Sequence, residues 1–278
     1  MSVAVVDGEL DIRSIAKTAL KTSAGFWFLV AGIGQWLFFG YIALFYGPST
    51  LSGNFQSWTK NHALLKGYVP GDRIGNLAFG VHALMAGYVA LGGVLQLVPQ
   101  VRTYFPAFHR WNGRAFLVMA LGVSVTGLYM IWVRHATTNL AGSAGITLNG
   151  VLIIVCAVVA WRTAVRRDFA AHRRWALRTW LVANGQWFFR IGIFGWLLLN
   201  RGPVGMGRNF DGPVVLFWEF GCTLVPLAVL ELYLRLKDRG ASRGRYALAG
   251  GLAVLTLLAM VGIFGVAMFL WRPVLGRL

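Results

Sequence analysis

The chain has 278 residues, of which 57% are apolar and only 13% charged, and it carries a formal net charge of +17. So much apolar residue and so little charge exclude an ordinary soluble domain and point to a polytopic helical membrane protein. The positive charge alone would suit a nucleic-acid partner, but its placement along the chain does not.

Residues 1–23 contain Asp7, Glu9 and Asp11 and lack a short apolar core ahead of a cleavage site, so they read as a cytoplasmic segment before a retained anchor. Seven apolar runs follow, over residues 24–46, 74–98, 113–134, 143–162, 176–200, 213–234 and 246–271. Each approaches or exceeds the roughly 20 residues that a helix needs to cross a hydrocarbon core of about 30 Å. The expected architecture is therefore all-α: one seven-helix transmembrane domain over residues 24–271 and a short external tail over residues 272–278.

The stretch 47–73 mixes Phe55, Trp58, His62, Leu64, Leu65 and Tyr68 with polar residues, which suits an interfacial helix capping an external site. The second run carries His82 on a face of small residues, Ala78, Ala86 and Gly93, which leaves room beside the ring. Entry to the third run reads His109-Arg110-Trp111-Asn112-Gly113-Arg114. Entry to the fifth reads His172-Arg173-Arg174-Trp175, with Arg178 one turn later. The fifth run holds Gln186 and Arg190 one turn apart, and the sixth holds Glu219, followed by Pro226 as an expected kink. Cys156 and Cys222 both fall inside runs and read as small apolar residues rather than as a disulfide.

Of the 26 Lys and Arg, 17 lie in the N-terminal segment and around the loops after the second, fourth and sixth runs. The positive-inside rule then sets the N-terminus in the cytoplasm and the C-terminus outside. The basic charge is a topology signal, with anionic lipid headgroups as its partners and no nucleic acid. The expected location is the bacterial cytoplasmic membrane.

Charge at membrane depth is costly and usually faces a partner, a cavity or a cofactor. At roughly 1.5 Å per residue, His82 lies about 12 Å, Arg190 about 15 Å and Glu219 about 9 Å below the external boundary. The short loop between their runs makes an Arg190–Glu219 ion pair the simplest expectation. The polar face of the fifth run adds Gln186. His109 and His172 sit together near the opposite surface, each at the start of an outward-running helix and each beside arginines, which suits an anionic group.

These segments, namely His82, Leu95-Gln96, the His109 to Arg114 entry, His172 to Trp175 with Arg178, and Arg190, together resemble the domain of unknown function 2306 family of bacterial membrane proteins. The resemblance covers roughly residues 74 to 195. It implies a multi-pass membrane protein and little about chemistry, because that family is named for lacking an assigned function.

Two function classes follow. In the first, His109 and His172 hold haem b or a metal ion, Arg110, Arg173 and Arg178 neutralise propionates, and the outer polar site meets membrane quinone in electron transfer. In the second, His82, Gln186, Arg190 and Glu219 form an outer-leaflet pocket in a proton-coupled transporter or a lipid-handling protein. A third reading is an accessory or assembly subunit working with other membrane subunits. His82 has only His62 and His135 as histidine partners near its end of the bundle. No nucleophile elbow, P-loop or dinucleotide fingerprint supports a soluble type of enzyme.

Overall fold

The computed structural model describes residues 2–61, 67–137 and 139–276, with side chains from residue 12 onward. His62, Leu64 and Leu65 of the expected interfacial helix lie outside the described residues. Among the described residues every regular element is helical. The chain runs α1 (Ser2–Ser52), a 3-10 turn (Phe55–Lys60), α2 (Arg73–Leu97), α3 (Pro99–Tyr104), α4 (Pro106–Trp132), α5 (Leu140–Val165), α6 (Phe169–Ala183), α7 (Gly185–Leu199), α8 (Pro213–Arg239) and α9 (Ser242–Val266). A π-helical turn (Ala267–Trp271) and α10 (Arg272–Leu275) complete it.

Among the described residues six helices are long and apolar enough to cross a membrane: those over Ile12–Ser52, Arg73–Leu97, Pro106–Trp132, Leu140–Val165, Pro213–Arg239 and Ser242–Leu275. The fifth expected span behaves differently. It is divided at Asn184 into α6 and α7, of 15 residues each. The break is held from both sides. Asn184 Nδ2 donates to the Trp180 carbonyl at 2.8 Å, while Asn149 Nδ2, from the middle of α5, donates to the Val182 carbonyl at 2.8 Å and to Thr223 Oγ1 of α8 at 2.9 Å. In an apolar surround a carbonyl freed from its helix needs such a partner, so Asn149 stabilises the interruption.

The helices close into a ring. α1 packs between α2 and α9, α2 against α4, α4 against α5, and α5 against α6, while α7 returns the ring to α9. α8 lies against the outside of α5, α6 and α7 and touches α9 at few points. Small residues set the closest crossings. A Cβ on Gly195 of α7 would stand 3.2 Å from the Gly262 Cα of α9, so neither position tolerates bulk without moving a helix. α8 continues through Pro226.

At the first-loop end of the bundle, the end that carries residues 53–72, the chain turns inward instead of lying flat. Trp58 is wholly buried, and its indole N–H donates to Ser49 Oγ at 2.6 Å. Asn61 Nδ2 donates to Tyr41 Oη at 3.0 Å and to Tyr46 Oη at 3.2 Å. Residues 55–60 of this stretch thus form a tucked-in 3-10 turn that caps this end of the ring, in place of the expected interfacial helix. Arg134, just after α4, pins the same end by donating from Nε to Asp72 at 2.9 Å and from Nη2 to Asn76 at 3.0 Å.

Candidate functional site: a polar cavity inside the ring

Beneath that cap the ring holds a partly open cavity of about 350 Å³. Its walls come from α1, α2, α4, α5, the α6–α7 junction and the π turn after α9. The space exists because small residues face inward where large ones would close it: Ala83 and Ala86 on α2, Gly127 on α4, Gly150 on α5 and Ala183 on α6. Of the small face expected around His82, Ala86 lines the cavity, while Gly93 packs against Phe116 and Trp180. The π turn puts Leu270 into the wall, and the following Trp271 stacks on Phe38 at 5.8 Å and on Tyr41 at 6.0 Å.

The polar lining is led by Arg190 and His82. Each lies roughly 14 Å along its helix from the first-loop end, counting 1.5 Å per residue, so they face the cavity at one depth. Arg190 Nη1 donates to the Gln186 carbonyl one turn earlier at 2.8 Å, and its guanidinium stands 5.6 Å from the Phe38 ring centroid. Among the described residues no carboxylate comes within ion-pair distance of Arg190; the ion pairs there are Arg134–Asp72, Arg174–Asp238 and Arg178–Glu231. A guanidinium carries five N–H donors, so one protein bond leaves most of that capacity facing the cavity.

The expected Arg190–Glu219 pair is thus not formed. Glu219 is absent from the cavity wall and lies on α8 against α5, where a Cβ on Gly142 would meet its Oε1 at 2.8 Å. Gly145 explains the placement, since its missing side chain lets the α8 backbone at Glu219 approach α5. Of the four expected pocket residues, His82, Gln186 and Arg190 come together and Glu219 does not.

Among the described residues His82 has no histidine partner. His135 is exposed in the turn after α4 at φ +49°, and His62 lies outside the described residues. The ring's Nδ1 instead meets Thr126 Oγ1 at 2.9 Å. Tyr41, Tyr46, Asn61, Ser124, Thr137, Asn149 and Asn184 add to the polar lining. Reading only ionisable residues passed over these. The signal for Asn149 and Asn184 was present all the same, as uncharged amides in the middle of apolar runs.

At the opposite end, His172 Nδ1 donates to the Ala160 carbonyl at 2.9 Å, which leaves Nε2 open. His109 turns Nε2 toward the Gln96 amide nitrogen at 3.4 Å, and its Nδ1 is buried without a partner among the described residues. Gln96 also ties α2 to α4 through the His109 carbonyl at 2.9 Å and Asn112 at 2.8 Å. Arg178 is engaged by Glu231 of α8 through two bonds of 2.7 and 2.9 Å, with its guanidinium 4.7 Å from the Trp175 centroid, while Arg110 and Arg173 are exposed. Neither histidine lines either large cavity. Among the described residues no cluster of three or more His, Cys, Asp or Glu is placed for a metal ion. A haem between His109 and His172 gains no support from this arrangement. Cys156 and Cys222 are both free and buried.

A second cavity, of about 560 Å³, lies outside the ring between α7, α8 and α9. Its lining is apolar from Trp218 and Trp196 near the first-loop end to Leu177 and Ala24 near the other, with Lys237 its one charged residue. It exists because α8 and α9 stand apart.

The residues around His82, the Gln96–His109–Asn112 junction, the α6–α7 break and Arg190 all fall within one matched segment. Residues 79–208 match the profile of a family described as predicted membrane protein, DUF2306. This is the family that the sequence resembles. The matched segment holds the α2, α4, α5, α6 and α7 walls of the cavity, while the Tyr41 and Tyr46 wall on α1 precedes it. No match was found among curated proteins or solved structures.

Proposed function

We infer that the protein is a seven-span protein of the bacterial cytoplasmic membrane that binds a small polar solute inside its helical ring, as a transporter or lipid-handling protein would. Seven spans follow if α6 and α7 act as one broken crossing. Together they cover 31 residues, about 46 Å at 1.5 Å per residue, ample for the hydrocarbon core. The concentration of Lys and Arg around alternate loops supports a cytoplasmic N-terminus and an external C-terminus. The cavity then opens toward the outer half of the membrane.

The observation that carries the reading is Arg190, a cation at membrane depth with no carboxylate in reach among the described residues and a polar-lined cavity in front of it. Such a charge costs about 2.5–3.5 kcal/mol to insert at a helix centre, and a purely structural role would pair it. Interrupted helices are a recurring way to line membrane binding sites, because they bring backbone and polar side chains to mid-membrane depth. Here the interruption at Asn184 lies six residues before Arg190 and lines the same cavity.

The test is a thermal-stability screen of the detergent-purified protein against small anionic, neutral and cationic solutes, run in parallel on Arg190→Gln. The expected result is saturable stabilisation by at least one class, lost in the variant. Stabilisation by none, or equal stabilisation of both proteins, would overturn the reading.

A further inference from the structure

The hydrogen bonds around His82 specify where its proton sits. Thr126 has one hydroxyl proton, and its closest acceptor is the Gly122 carbonyl, one turn back on α4 at 2.6 Å, with the Val123 carbonyl at 3.3 Å on the same side. A threonine that donates to its own helix can only accept from a second neighbour. The neighbour is His82 Nδ1 at 2.9 Å, so Nδ1 carries a proton and the neutral ring keeps its basic lone pair on Nε2. His82 lines the cavity, with Cε1, the carbon between the two nitrogens, 3.5 Å from where a Cβ on Gly127 would stand.

The groups around that ring decide when Nε2 can take a second proton. Arg190 faces the cavity from α7, Tyr41 and Tyr46 face it from α1, and the Cys222 thiol of α8 lies near Arg190. α4 contributes Ser124 and Thr126, α5 contributes Asn149, and the cap contributes Asn61, none of which titrates near neutrality. The empty cavity therefore holds one fixed positive charge and no negative one among its described lining residues. A second positive charge on His82 is opposed by Arg190 until an anion enters. With an anion against the guanidinium, that repulsion is offset and the ring's proton affinity rises.

We propose that the cavity binds a small monoanion together with one proton, the anionic group resting on Arg190 and the proton on His82 Nε2. The deduction rests on the solute-binding reading above and names the substrate class and the coupling. Charge balances as follows: the empty site carries +1 on Arg190, and the loaded site carries +1 on each of Arg190 and His82 and −1 on the anion, so the net charge stays +1. A carboxylate, sulfonate or halide meets this requirement. Loading without change of charge suits a site at membrane depth, where an unbalanced ion is expensive.

The sign of the pH dependence follows by linkage. The loaded site holds one more proton than the empty one, so affinity rises as pH falls, by about tenfold per pH unit wherever the free His82 is neutral. The test uses anions that do not themselves titrate, methanesulfonate and iodide. Binding to the detergent-purified full chain is measured by calorimetry from about pH 5 to 8, in buffers of different ionisation heat so that protons taken up can be counted. The expected result is near one proton taken up per anion in the wild type, binding with a flat pH profile in His82→Gln, and binding lost in Arg190→Gln. Anion binding with no proton uptake, or a pH slope unchanged in His82→Gln, would overturn the coupling and leave the solute-binding cavity standing. Saturable binding of neutral solutes alone would overturn the anion assignment. If no solute of any class binds, both proposals fall together.

Discussion

The central cavity and the lateral groove are separated by a single helix, α7, and their contrast is the contrast between its two faces. Gln186, Trp187 and Arg190 look into the ring, whereas Ile191, Gly192, Gly195 and Leu199 line the groove. The inner space is smaller, about 350 Å³ against about 560 Å³, yet it is lined by His82, Arg190 and several amides and hydroxyls, while the groove offers only Tyr233 and Lys237 beside its apolar and indole side chains. Size alone does not distinguish the two spaces by their chemistry. Charge at depth, and whether it is already neutralised, separates a chemical site from a gap between helices.

The comparison can be broken most directly at Arg190. Replacing it with Met should stabilise the ligand-free protein by about 2–3 kcal/mol, because an uncompensated membrane charge is removed, while abolishing solute-dependent stabilisation. Unfolding in detergent with and without solute measures both. A destabilised variant would mean that Arg190 supports the ring as a structural element, and the distinction between the two spaces would collapse.

Next in size is the bracket that holds the interruption open. Asn149→Leu strands the Val182 carbonyl and Thr223, and should cost about 1–3 kcal/mol with weakened solute binding, because the α7 face carrying Arg190 shifts. A variant that lost stability but kept full affinity would uncouple the break from the site. Glu231→Gln, which breaks the half-exposed pair with Arg178 on the far side of the bundle, should cost about 1–2 kcal/mol and leave affinity alone. The smallest effect is expected from filling the groove. Ala259→Trp should change solute affinity by no more than about twofold, the usual coupling between sites without shared partners. A larger change would mean that the groove communicates with the cavity through α7.

Most of the fold was legible in the sequence. Apolar runs of sufficient length specify spanning helices whatever their neighbours, because a backbone in hydrocarbon must satisfy its own hydrogen bonds. The break at Asn184 was less legible. The run 176–200 reads as continuous by hydropathy, and only a polar side chain from α5 makes an interruption affordable. The site was legible in its ionisable members but not in their pairing. His82, Gln186 and Arg190 are recognisable as polar residues inside apolar runs, while the short loop alone pairs Glu219 with Arg190. Which face of α8 meets α5 depends on Gly142 and Gly145, and no feature of the Glu219 run itself reveals that. The same applies to Arg178, whose position beside His172 suggested a free cation and whose actual partner, Glu231, comes from a helix 53 residues on.

A five-residue echo, Gly34-Gln35-Trp36-Leu37-Phe38 against Gly185-Gln186-Trp187-Phe188-Phe189, shows the limit of reading like for like. The two segments touch, since a Cβ on Gly34 would lie 2.7 Å from Trp187, but Gln186 lines the cavity while Gln35 is wholly buried away from it.

The sequence by itself determined that this is a multi-pass helical membrane protein, roughly where most of its long apolar helices lie, and that His82 and Arg190 fall well inside apolar runs. Those properties depend on local hydrophobicity and on the fixed rise of a helix. Only the tertiary structure decided that Arg190 faces a cavity instead of Glu219, that His82 Nδ1 meets Thr126, and that Arg178 pairs with Glu231. Each depends on which faces of distant helices meet, and in a bilayer those faces are chosen by small-residue packing and a few interhelical hydrogen bonds rather than by hydrophobicity.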